Sequence, residues 1–162
     1  MNRLNRALVL LVVLTLLSGC NSNVDNSSGD LFNYKDSYLG DNSAVVNTVI
    51  YLKGADYFRG IELQTKEQPY GIIVDYDWSE SVIDLQETVI NNASYLFTLI
   101  QNVDWIMLKF ETVDGVEEFK LTREELEGWY EVNLSKIESE EKLKELIQVH
   151  LKNSEEVTKL LK

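Results

Sequence analysis

The chain has 162 residues with 15 basic and 27 acidic side chains, a formal charge of -12, one cysteine and one histidine. If the first nineteen residues are removed, Arg3 and Arg6 go with them, leaving 13 basic groups against 27 acidic and a charge of -14. Such a surface repels nucleic acid and anionic headgroups, and a lone cysteine makes no internal disulfide.

At the N-terminus, Arg3 and Arg6 precede an apolar run from Ala7 to Leu17, interrupted only by Thr15, and then the small residues Ser18 and Gly19. That order is a secretion signal. The run is too short to span a bilayer, which needs roughly 20 apolar residues. Leu17-Ser18-Gly19-Cys20 resembles the lipobox of bacterial lipoproteins, in which the chain is cut between Gly19 and Cys20 and the cysteine is acylated. The expectation is a signal peptide over 1–19 and a lipid anchor on Cys20 that places the rest at the extracytoplasmic face of the cell membrane. The alternative is an uncleaved helix with an incidental thiol. Several acyl chains on one cysteine, each CH₂ contributing about 0.8 kcal/mol, hold against the charge repulsion. Residues 20–30 are rich in Ser, Asn and Asp and read as a flexible spacer.

An α+β domain is expected over 31–122. Val45, Val46, Val49, Ile50 and Leu52 recur at helical spacing after Gly40-Asp41-Asn42-Ser43, whose polar side chains can cap the first turn. Ile61 and Leu63, then Ile72, Val74 and Tyr76, alternate around Lys66-Glu67-Gln68-Pro69 and form a hairpin in which Leu63 meets Ile72 and Ile61 meets Val74. Residues 83–100 return to helical spacing, with Leu85, Val89, Ala93, Leu96, Phe97 and Ile100 on one stripe. Trp105 to Val113 and Val116 to Thr122 alternate around Asp114-Gly115, a type I′ turn pair, which sets Phe110 against Phe119 and Leu108 against Leu121.

The order helix, hairpin, helix, hairpin predicts a four-stranded antiparallel sheet with helices packed on one side. A C-terminal helical extension follows over 123–162. It comprises a short helix at Glu124 to Tyr130, then one amphipathic helix or a bent pair from Ser139, with Ser154 as a second cap. Its apolar stripe is expected either on the wet face of the sheet, against Ile73, Trp105 and Met107, or on another protein.

Catalytic material is sparse. His150 is the only histidine, no HExxH pattern occurs, and neither a histidine zinc site nor a Ser-His-Asp arrangement has its components. Asp75 and Asp77 project to one face of a strand near Glu80, as grouped carboxylates for Ca²⁺ do, but no twelve-residue calcium loop is present, so no metal or other cofactor is expected. The candidate binding residues are Asp41, Asn42, Tyr70, Asp75 and Asp77.

Three blocks occur in order: Tyr38-Leu39-Gly40-Asp41-Asn42-Ser43, then Glu62-Leu63-Gln64-Thr65 with Pro69-Tyr70-Gly71, then Leu96-Phe97-Thr98-Leu99-Ile100-Gln101-Asn102-Val103-Asp104. Over roughly 31–112 the chain resembles a bacterial domain of unknown function, number 4825. The resemblance implies a small lipoprotein of the Gram-positive type, or the extracytoplasmic end of membrane zinc peptidases similar to β-lactam sensor-transducers; the peptidase half is missing from this chain. Lys53-Gly54-Ala55-Asp56 stands where members commonly carry proline. The function expected is a non-enzymatic binding or sensing module, its partner an envelope protein or wall component. The alternative is a cell-envelope hydrolase built on Asp75, Asp77, Tyr70 and Tyr76.

Overall fold

The structure, a computed structural model, describes residues 31–162. The signal peptide, the Gly19–Cys20 cleavage and acylation site and the 20–30 spacer lie outside the described residues. Helices α1 (Asn42–Val49), α2 (Leu85–Leu99), α3 (Arg123–Tyr130), α4 (Glu140–Leu151) and α5 (Ser154–Leu160) accompany strands β1 (Phe58–Gln64), β2 (Gly71–Asp77), β3 (Trp105–Thr112) and β4 (Gly115–Thr122).

The fold is α+β, with one four-stranded sheet in the order β1-β2-β3-β4. The first hairpin has the expected register, with Leu63 opposite Ile72 and Ile61 opposite Val74. The sheet is mixed, however, because β2 and β3 run parallel. A wholly antiparallel sheet is ruled out by α2 itself. The helix carries the chain back along the sheet, so β3 starts beside Gly71 at the same end as β2, which is the geometry of a parallel crossover.

The second hairpin is shifted by two residues from the expected register, pairing Leu108 with Phe119 and Ile106 with Leu121. Its loop is Val113-Asp114 instead of Asp114-Gly115. Thr112 fixes this choice: its Oγ1 donates to the Gly115 carbonyl at 2.8 Å and accepts from the Asp114 amide at 3.2 Å. A shift of two keeps every side chain on its expected face. It also moves Lys109 from opposite Lys120 to opposite Glu118, where the two form a 3.0 Å ion pair.

Ile72, Val74 and Tyr76 of β2 and Ile106, Leu108 and Phe110 of β3 form the core face, all essentially inaccessible. Helix α2 lies in that core and is buried over most of its circumference. Ile90, Tyr95 and Leu99 are as buried as the expected stripe, so the helix needs cover on two sides. The sheet covers one side. The C-terminal segment covers another, burying Leu126, Tyr130, Leu134, Leu143, Ile147 and Val157 in the same apolar cluster. This corrects the expected packing of that segment on Ile73, Trp105 and Met107. Polar contacts set its position, with Tyr130 Oη 2.8 Å from Ser94 Oγ and Tyr95 donating to Glu140 at 2.9 Å.

Caps delimit the helices. Asp41 accepts from the Ala44 amide, Asp84 from Glu87, and Ser139 from Lys142. The last helix is capped by Asn153, with Ser154 as its first residue. At the other end of α2 there is no glycine; Ile100 turns to extended backbone. Arg123 takes over the closing role by donating to the carbonyls of Phe97 (2.7 Å), Ile100 (2.7 Å), Val103 (3.0 Å) and Gln101 (3.3 Å). A cation there also complements the negative end of the helix dipole. Burial lowers the Arg123 pKa, opposed by Glu127 at 3.6 Å, but a guanidinium stays charged.

Arg123→Ala orphans these carbonyls and should lower the unfolding free energy by about 2–4 kcal/mol, read as a reduced urea midpoint. A loss below about 0.5 kcal/mol would refute the role given to the guanidinium. Burial raises the pKa of Tyr76, with Asn92 opposing; burial and then Glu140 raise that of Tyr95; burial raises that of Tyr130, with Ser94 opposing. Because the folded values lie above the unfolded one, this stabilisation is complete below the ordinary tyrosine pKa of about 10 and is lost as pH rises past it. Three of the eight tyrosines should therefore ionise together with the loss of helical ellipticity in an alkaline titration. Ionisation of all eight ahead of unfolding is the contrary result.

Candidate functional site

The sheet face opposite the core is left to solvent. It shows half-exposed Ile73, Trp105 and Met107 among Glu62, Asp75, Asp77, Lys109, Glu111, Glu118 and Lys120. Asp75 and Asp77 share this face as expected, yet both sit beside cations. The Asp77 carboxylate accepts from the Ser79 hydroxyl at 2.7 Å and amide at 3.3 Å and lies 3.2 Å from Arg59, so it is held below the usual carboxylate range, chiefly by Ser79. Arg59 also binds Glu111. Lys109 is kept protonated to higher pH by Glu118 first and by Asp75 and Glu62 next.

Two shallow depressions result, one of about 380 Å³ beside Asp75 and Lys109 and one of about 540 Å³ beside Asp77 and Glu80. Among the described residues no group of three His, Cys, Asp or Glu side chains could hold a metal ion.

The other candidates are dispersed. Tyr76 alternates away from Asp75 and Asp77 into the core, where the Asn92 side chain donates to its hydroxyl at 3.1 Å, so a site joining these three side chains does not exist. Tyr70 acts through its backbone. Its amide donates to Asp104 Oδ2 at 2.7 Å and its carbonyl accepts from the Asp104 and Trp105 amides, which joins the start of β2 to the start of β3. Asp41 is occupied as a cap and Asn42 is the first residue of α1. His150 packs against the rings of Trp129 and Tyr130, with Nδ1 2.9 Å from the Leu146 carbonyl.

Among the described residues a wider opening of about 800 Å³ lies at the end of the sheet, between Trp105 and α3. Trp105 forms its floor in a fixed position. The indole lies flat over Gly71, where any Cβ would overlap it, and Nε1 donates to the Pro69 carbonyl at 3.0 Å. Lys120 Nζ stands 4.7 Å from the ring centroid. The opposite wall is α3, anchored by reciprocal capping between Thr122 and Glu125. Hydrogen bonds from the Thr122 side chain and amide hold the Glu125 carboxyl below its ordinary range.

Gly128 opens that wall. It sits in the interior of α3, where glycine costs about 0.5–1 kcal/mol relative to alanine, and a Cβ there would meet nothing within 4 Å. In the sequence Trp105 reads only as a packing surface and Lys120 as one charge of a solvated strand face, and Gly128 carries no site signal beyond being a glycine inside an otherwise helix-favouring segment.

Gly71→Ala should push Trp105 off the sheet and cost about 1–3 kcal/mol. In a Trp105→Ala background most of that cost should vanish, as a double-mutant cycle in urea will report. Additive costs would mean that the indole does not depend on the glycine.

No curated protein and no solved structure matches the chain. The family model for a domain of unknown function (DUF4825) matches residues 31–122, more than half of the chain, from the turn at Leu31 to the end of β4. The three sequence blocks lie within that span, and on this match the chain belongs to the DUF4825 family.

Proposed function

We propose that the protein is a membrane-tethered extracytoplasmic lipoprotein whose folded part binds a ligand or partner and performs no chemistry on it. The tether rests on Leu17-Ser18-Gly19-Cys20 behind its short apolar run. The binding half rests on one observation, the groove of about 800 Å³ between a fixed indole and a capped helix. Rigid walls lower the cost of ordering on association. The carboxylates of the open face favour the same reading. Asp77 is committed to Ser79 and Arg59, and the tyrosine nearest in sequence, Tyr76, faces the core. A hydrolase gains no geometric support from that arrangement.

Cys20→Ser should remove the acyl mass from the intact protein and move it from the membrane pellet to the soluble fraction. Retention in the pellet with no acyl mass on the unmodified chain would overturn the tether.

A further inference from the structure

We propose that the groove between Trp105 and α3 is a saccharide-binding site that takes a neutral pyranose oligomer. The inference rests on the reading of this chain as a binding module and names the ligand class.

The floor supplies the first requirement. A pyranose ring has an apolar C–H face, and a fixed indole offers a flat partner for it at little entropic cost. Trp105 is held from below by Gly71 and at its edge by the Pro69 carbonyl. Lys120 stands over the ring, through an exposed cation–π contact on a long flexible stem, the kind of contact most easily exchanged.

The rim supplies the second. Glu124 and Glu131 present exposed carboxylates and Lys120 an exposed ammonium. Sugar hydroxyls donate to the first two and accept from the third, so a polyhydroxylated neutral molecule satisfies both signs together. A phosphate or carboxylate ligand would meet more negative charge than positive, because Arg123, the other cation at the groove, is spent on main-chain carbonyls. A cationic peptide would have to displace Lys120 from above the aromatic floor against like charge, which a neutral ring does not.

The third observation is Gly128. It is a helix-weakening residue at the groove wall, and its missing side chain leaves open space where a ring would slide in.

The test uses the full chain in detergent micelles, titrated with a soluble β-linked N-acetylglucosamine tetramer and observed through the indole N–H resonances of Trp78, Trp105 and Trp129. The expected result is a saturable shift of the Trp105 resonance alone. Gly128→Leu should weaken binding at least about tenfold by the same resonance, and Trp105→Ala should do so by calorimetry with the same tetramer. Leucine favours the helix, so Gly128→Leu should keep or raise the melting temperature, separating an obstructed groove from a damaged fold.

The proposal fails if millimolar tetramer moves no resonance, if Trp78 or Trp129 responds in place of Trp105, or if Gly128→Leu binds undiminished. It also fails if a tetralysine peptide binds the same groove more tightly than the sugar. None of these outcomes touches the Cys20 fractionation result, so the ligand class and the tether stand or fall separately.

Discussion

Arg123 joins three parts of the fold at one point. Its guanidinium collects the carbonyls of Phe97, Ile100, Gln101 and Val103 at the end of α2, while its own backbone opens α3 directly after β4. The end of the central helix, the entry to β3 and the departure of the C-terminal segment are thereby fixed relative to one another. The Arg123 amide adds a bond to the Asp104 carbonyl at 2.9 Å, and Asp104 in turn binds Tyr70. The groove inherits its shape from this joint, because Trp105 follows Asp104 and α3 follows Thr122.

The strands, their faces, the first hairpin and the helices were legible in the sequence because each rests on local periodicity and local capping. Leu63 against Ile72 follows from one local connection and one apolar face. Strand direction across the middle of the sheet was not legible, since alternation has period two whichever way the neighbour runs. The second hairpin slipped by two because Asp114-Gly115 is a good turn in isolation, whereas Thr112 selects Val113-Asp114 through contacts that no dipeptide rule contains.

The candidate site was read less well, for a related reason. Carboxylates and tyrosines stand out by residue type, but their availability is decided by neighbours far along the chain. Asp77 lies under Arg59, Lys109 is matched to Glu118, and Tyr76 is turned to Asn92. Trp105 gains its fixed pose from a glycine on another strand, and Arg123 binds backbone oxygen, which leaves no trace in a pattern of side chains. Residues that act through main-chain partners are hidden from motif reading.

Because the outer side of α2 is covered by Leu126, Leu134, Leu143, Ile147 and Val157, all of which lie beyond Thr122, the interior is sealed by a segment outside the family match. Without that segment the sheet and α2 would present a continuous apolar flank to water. Residues 123–162 are therefore part of the core and not an appendage to it, and the 31–122 unit is completed by its neighbour along the chain.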